Sequence, residues 1–293
     1  MLEIKQLAKN FGDNQAVKSL NITLPKGSVL GLLGRNGAGK TTTIKMMLGL
    51  LTPSSGEIQW NGKDFKDAKL SLGYLPEERG LYPKSTVLDQ LRYFGKLEGM
   101  TQKAVDQSID YWLERLQITE YKNKKAGELS KGNQQKIQII ATLLHNPEFI
   151  ILDEPFSGLD PVNANMLASV IQEEMEKGKT VIFSSHRMDQ VEAFCEYVCI
   201  LKHGDVVVQG SLKEVKQEYG FRNLILEATE ENEKCLALLD VAFEQKLGDL
   251  YIKVTTDQEA LEILQAFQDH SISLRYFKML EPTLNEIFIE RAK

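Results

Sequence analysis

Gly34, Arg35, Asn36, Gly37, Ala38, Gly39, Lys40 and Thr41 follow one another in a pattern that suits phosphate chemistry. The glycines let backbone N–H groups curl around an anion, Lys40 supplies a cation, and Thr41 offers a hydroxyl to Mg²⁺. Such a loop works only with a strand before it and a helix after it, because the helix N-terminus adds the positive end of its dipole. Both are readable. Residues 29–33 form a short apolar run suited to a buried strand, and residues 40–50 read as a helix whose first turn carries Thr41 and Thr42.

A second group lies at Phe149-Ile-Ile-Leu152-Asp153-Glu154, where two adjacent carboxylates end an apolar strand. Side-chain alternation sends them to different positions. One can then serve Mg²⁺ and the other water. A buried acidic pair without a partner is costly, so a strand end beside a bound cation explains the pair better than a solvated turn ahead of Pro155.

Gly and Pro punctuation separates short β-branched runs from longer helical patterns over the first two-thirds of the chain, as in a layered α/β domain. Residues 149–152 and 180–184 have the continuous apolar or β-branched character of central parallel strands. Val105, Ile109, Trp112, Leu113 and Leu116 recur at helical spacing behind Thr101, a residue suited to an N-cap. They belong to a helical insertion expected over about residues 80–135. Ser211 and Glu214 form a capping box and Gly220 supplies a helix stop, which sets the expected domain boundary at 220/221. Beyond it the pattern is strand 224–228, helix 233–239, strands 243–245 and 250–255, helix 257–269, strand 273–277 and a last helix from 283. That order resembles a ferredoxin-like β-α-β-β-α-β arrangement, giving a small α+β domain over 221–293.

Composition limits what such a chain can be. Its 293 residues, 42% hydrophobic and 26% charged, suffice for a large domain and a smaller one. The formal charge of -6, from 35 Lys and Arg against 41 Asp and Glu, disfavours the broad basic surface that holds a DNA duplex. No nucleic-acid partner is expected. No stretch approaches the ~18 uncharged apolar residues of a spanning helix; the best candidate, 137–147, is bounded by Lys136 and Glu148. Residues 1–10 lack the apolar core of a secretory signal. Cys195, Cys199 and Cys235 match no disulfide, zinc or redox spacing, so reduced, packed thiols in the cytoplasm are expected.

From residue 2 to about 220 the chain resembles the ATP-binding subunit of ABC transporters, and the order of its motifs carries the resemblance. Leu129-Ser-Lys-Gly-Asn-Gln134 stands where that family has its signature Leu-Ser-Gly-Gly-Gln. Ser157-Gly-Leu-Asp160 follows the acidic pair as the family's D-loop does, and His186 follows strand 180–184 like its switch histidine. Phe11 lies where the family stacks an aromatic ring on adenine. The signature departs at Lys131 and Asn133 but keeps Ser130 and Gly132, whose hydroxyl and backbone would meet a phosphate. Glu77 replaces the family's glutamine; a carboxylate can ligate Mg²⁺ but cannot donate an amide hydrogen bond. Gly73 to Tyr82 and the terminal Glu281-Pro-Thr-Leu-Asn-Glu-Ile-Phe-Ile-Glu290 resemble export-type subunits with an extra C-terminal domain, including sodium-extrusion ATPases.

The resemblance implies a P-loop ABC-type ATPase core that uses ATP and Mg²⁺. Lys40 and its loop would hold the β- and γ-phosphates, and Thr41, Glu77 and Asp153 would organise Mg²⁺. Glu154 would polarise the attacking water and His186 contact the γ-phosphate. Because one subunit's signature closes another's site, a second ATP-binding subunit is implied, in a homodimer or a heterodimer. So is a separate transmembrane permease that holds the chain at the inner face of the membrane and passes sodium or another small solute outward. The alternatives are a soluble family member acting on ribosomes or DNA, or a nucleotide-dependent regulatory subunit. Ribosome-acting members usually carry two such domains and DNA-repair members coiled coils or zinc modules, and this sequence has neither. An intact Glu154 argues against a mere sensor.

Overall fold

The computed structural model describes residues 1–78 and 80–291. They form two compact units that divide between Gln209 and Gly210, earlier than the expected 220/221. The capping box explains the difference. Ser211 accepts a hydrogen bond from the Glu214 N–H at 3.2 Å and starts a helix that belongs to the second unit, so the box opens that unit instead of closing the first.

The first unit contains β1 (Leu2–Phe11), β2 (Asn14–Leu24), β3 (Val29–Gly34), α1 (Lys40–Met47), β4 (Ser55–Trp60), β5 (Lys63–Asp64) and β6 (Leu72–Leu75). It continues with α2 (Val87–Leu97), α3 (Gln102–Arg115), α4 (Lys131–Leu143), β7 (Phe149–Asp153), α5 (Pro161–Glu176), β8 (Thr180–Ser185), α6 (Met188–Phe194) and β9 (Tyr197–Lys202). β10 (Asp205–Ser211) crosses the boundary. α1 stops at Met47, short of the expected 50, because Gly49 takes a left-handed φ of 69° that a helix cannot continue.

Two sheets share the core of this unit. One, ordered β2-β1-β4-β5, is antiparallel; the other is ordered β10-β9-β3-β8-β7-β6, with parallel pairing from β9 through to β6. Strands β3, β7 and β8 are buried along their whole length, which is why their sequences are continuously apolar instead of alternating. The two faces of β7 go to different partners. Phe149 and Ile151 join Leu2, Ile4, Leu20, Ile44 and Met46 in the core between the sheets, where the Phe149 ring meets Trp60 and Phe65 edge-on at 5.2 and 5.4 Å. Ile150 and Leu152 face Ile139, Leu143 and Ile171 of α4 and α5.

Helices α2 and α3 form the insertion. Thr86 and Thr101 cap them by accepting the N–H groups of Asp89 and Ala104 at 3.1 and 3.3 Å. Gly95 allows the pair to close up, since a Cβ there would stand 2.6 Å from Val105.

The parallel order brings four loops to one edge. β3 lies between β9 and β8, β8 beside β7, and β7 beside β6. The segments leaving the carboxyl ends of β3, β6, β7 and β8 carry Lys40, Glu77, Glu154 and His186 respectively, the edge where open α/β sheets bind ligands.

The second unit contains α7 (Leu212–Glu218), β11 (Arg222–Glu227), α8 (Glu230–Leu238), β12 (Glu244–Lys246), β13 (Asp249–Val254), α9 (Asp257–Asp269), β14 (Phe277–Leu280) and α10 (Leu284–Arg291). Its sheet, ordered β12-β13-β11-β14, is antiparallel throughout, the strand order of a ferredoxin-like unit with α10 added. Leu224, Leu226, Leu250, Ile252 and Val254 meet Cys235, Leu236, Ile263 and Phe267 of α8 and α9 in its core. The last strand lies at 277–280 instead of 273–277. Ile272 and Leu274 pack on the core from irregular chain, and the bonds to β11 begin only with Phe277 opposite Leu226. All three cysteines are buried thiols, and burial pushes Cys199 up to about 12.

Candidate active site

The loop from Gly34 to Thr41 joins β3 to α1, and its residues Arg35 to Thr41 line a cleft of about 210 Å³ together with Ala16, Thr42, Glu77 and Glu154. Gly39 caps α1 at a φ of 111°, and a Cβ there would stand 2.6 Å from the Ala16 carbonyl; only glycine meets both conditions. Lys40 is 6% exposed. Its ammonium donates to the Gly34 carbonyl at 2.6 Å and lies 3.5 Å from Glu154 Oε1. The cation is thus held inside its own loop, at the point where phosphate would arrive.

Asp153 and Glu154, both buried, diverge because the backbone turns between them. Glu154 has a φ of 50°, a left-handed conformation that a β-carbon makes unfavourable. Neighbouring hydrogen bonds hold it there: Glu154 N–H donates to the Ser184 carbonyl at 3.1 Å and to Ser184 Oγ at 3.3 Å. Its carbonyl accepts from Ser157 N–H at 3.0 Å. Glu154 Oε2 lies 2.9 Å from Nδ1 of the half-exposed His186. One carboxylate therefore bridges the buried lysine and the histidine.

Asp153 has a different environment. Ser184 Oγ donates to its Oδ1, and its Oδ2 is buried with no hydrogen-bond partner. Burial pushes its carboxyl up from the ordinary value; the Ser184 bond, Lys40 and a Thr41 hydrogen bond pull the other way. Tyr74 on β6 senses the same negative region, pushed up to about 12 by burial and then by Asp153, Glu77 and Glu78. An unpaired buried carboxylate oxygen beside a threonine hydroxyl suits a hard divalent cation. Among the described residues no cluster of three His, Cys, Asp or Glu side chains forms a complete metal centre.

Phe11, Ser130 and Gly132 lie outside the residues lining this cleft. Phe11 ends β1, half-exposed, with the Lys9 ammonium 5.2 Å from its ring centre. Ser130 caps α4 and accepts Asn133 N–H at 3.2 Å. A Cβ on Gly132 would stand 2.9 Å from Asn163 Nδ2, and that amide donates to Asp160, the N-cap of α5. The signature segment and the segment ending at Asp160 are therefore neighbours within one chain.

Sequence reasoning missed three residues. Ser184 was read only as part of a strand. Gln135 and Gln138 interrupt the apolar face of α4, and that interruption is a signal in itself, since buried amides need partners. Gln135 Nε2 donates to the Pro155 carbonyl at 3.0 Å and Gln138 Nε2 to the Glu78 carbonyl at 3.3 Å. α4 is thereby tied to the loops that follow both Glu154 and Glu77.

Both units match known protein families. Residues 17–157 match the family model described as ABC transporter, and residues 210–292 match the model described as ATP-binding protein DrrA1-3-like, C-terminal domain. The uncharacterized ABC transporter ATP-binding protein YhaQ of Bacillus subtilis (strain 168) is 45% identical over 100% of this chain and 98% of its own length. The linearmycin resistance ATP-binding protein LnrL of the same organism is 32% identical over 99% of this chain and 97% of its own. A solved structure titled as the ATP binding subunit of an ABC transporter superposes with a TM-score of 0.69 at 29% identity, covering 75% of this chain and 93% of that one.

Proposed function

This chain belongs to the family of ABC transporter ATP-binding proteins, as the ATP-hydrolysing subunit of a transporter, and we propose that it powers export through a separate membrane-spanning permease. The observation that carries the chemistry is the Lys40–Glu154–His186 chain, with 3.5 Å and 2.9 Å contacts on the two oxygens of one buried carboxylate. Lys40 and the surrounding loop N–H groups hold the β- and γ-phosphates, drawing the ammonium off Glu154. Glu154, released from that contact, orients the attacking water and accepts its proton. His186 then contacts the γ-phosphate, and Phe11 stacks on the adenine.

Thr41, Asp153 and Glu77 are the residues that would hold Mg²⁺. Held there, Mg²⁺ would supply charge that offsets the negative charge developing on the phosphates. Ser130 and Gly132 of a second copy close the site, which is consistent with their lying outside the cleft of their own chain.

Export is supported by the resistance function in the name of the relative LnrL, which this chain matches over 97% of that protein's length. A ribosomal or DNA-directed role is not favoured. Among the described residues no helix is long and apolar enough to cross a membrane. An apolar groove of about 390 Å³, lined by Leu72, Tyr74, Leu81, Phe94 and Leu97 and bordered by exposed Tyr82 and Tyr93, suits docking of the permease. Gln138 lines the same groove and bonds the Glu78 carbonyl, giving movement there a route to Glu77. The test is reconstitution with the membrane protein that co-purifies. ATP-dependent export that is lost with Glu154→Gln supports the reading, and ATP turnover with no co-purifying membrane protein contradicts it.

A further inference from the structure

Ser184 is fully buried at the end of β8, and its hydroxyl meets both functional carboxylate residues of the neighbouring β7 end. It donates its one proton to Asp153 Oδ1 and accepts the Glu154 N–H at 3.3 Å. A hydroxyl has one donor and two acceptor sites, so this group fixes the Asp153 carboxylate on one side and, beside the Ser184 carbonyl at 3.1 Å, supports the strained turn at Glu154 on the other. The consequence for Asp153 is asymmetric. Oδ1 is engaged, while Oδ2 is left buried and unpartnered.

We propose that Ser184 is a positioning residue that reserves Asp153 Oδ2 for the magnesium ion of the nucleotide complex and holds Glu154 in its left-handed turn. The assignment rests on the reading of Asp153 as a metal-organising residue. Without the hydroxyl the Asp153 carboxylate loses the bond that distinguishes its two oxygens and can rotate. Partners that orient a metal's ligands typically govern affinity by about 10-fold or more.

Ser184→Val and Ser184→Thr test this as a pair, because the two side chains have nearly the same shape and differ by the hydroxyl. The readout is Mn²⁺ binding to the ADP-loaded full chain, followed by the paramagnetic resonance signal of free Mn²⁺, with ADP affinity measured separately in chelator. Ser184→Val is expected to weaken Mn²⁺ by about 10-fold or more, Ser184→Thr to stay near the unmodified protein, and metal-free ADP affinity to hold in both. Should Ser184→Val not fold, Ser184→Ala makes the same comparison. Equal Mn²⁺ affinity in the two variants, or a matching loss of metal-free ADP affinity, overturns the proposal. Asp153→Asn separates it from the reading beneath it. If Asp153→Asn loses Mn²⁺ while Ser184→Val keeps it, only the role of Ser184 falls; if Asp153→Asn binds Mn²⁺ normally, the metal assignment falls and this proposal with it.

Discussion

The Gln135 side-chain amide donates to the Pro155 carbonyl at 3.0 Å, with Gln135 only 5% exposed. Through this bond the helix that starts at Ser130 grips the residue that follows Glu154. A partner phosphate held at Ser130 would therefore reach the residue next to Glu154 of the same chain through one helix and one hydrogen bond.

Gln135→Leu keeps the bulk of that side chain and leaves the Pro155 carbonyl unpaired. Denaturant unfolding should register a loss of about 1–3 kcal/mol, the cost of an unsatisfied buried acceptor. Steady-state kinetics should register a fall in kcat with little change in KM for MgATP. A rise in KM alone would place the effect at the nucleotide cleft instead.

Lys40→Ala removes the buried cation from the phosphate loop. Charge-assisted bonds of this kind contribute about 1.5–3 kcal/mol, so calorimetric titration should find ATP affinity reduced roughly 10- to 100-fold at that scale. Unchanged affinity would contradict the assignment of the loop.

Assembly has its own test. Glu154→Gln should be monomeric without nucleotide and dimeric by light scattering in saturating MgATP, with ATP bridging the loop of one chain and Ser130 and Gly132 of the other. Adding Gly132→Leu should return it to monomer while ATP still binds, because a side chain there meets Asn163 Nδ2, 2.9 Å from its Cβ. A double variant that still dimerises would remove Gly132 from the interface.

Truncation after Gln209 removes the second unit. Lys40, Thr41, Glu77, Asp153, Glu154 and His186 all lie in the first unit, so equilibrium ATP binding should survive in a folded fragment. ATP-driven dimerisation or coupling to the permease should be lost. Collapse of ATP affinity in a demonstrably folded fragment would refute the claim that the nucleotide site is complete without the C-terminal domain.

Much of the site is local in sequence and therefore readable there. Gly34 to Thr41 make their loop with immediate neighbours, and Asp153 and Glu154 announce themselves as acids ending an apolar strand. In the second unit, the helix expected at 257–269 occurs at Asp257–Asp269 because Thr256 caps it, accepting Glu259 N–H at 3.1 Å, and its apolar face is regular. What escaped depends on partners far along the chain. Ser184 looks like any β-branched-strand neighbour until β8 pairs with β7 and sets it beside Asp153, 31 residues away. The strand expected at 273–277 failed for a related reason: Ile272 and Leu274 have strand-like apolar character, but β11 offers its bonding edge only from Phe277 onward. The left-handed turn at Glu154 could not be read either, since a glutamate carries no bias toward it and Ser184 imposes it.

The central claim is that Glu154 orients the water that attacks ATP, and the direct measurement compares MgATP affinity with single-turnover hydrolysis in Glu154→Gln. The amide preserves shape but cannot accept the proton. The account predicts MgATP binding at least as tight as in the unmodified chain with turnover at least ~100-fold slower, the scale for loss of a positioned base. Near-normal turnover in that variant would assign the base elsewhere and contradict the account.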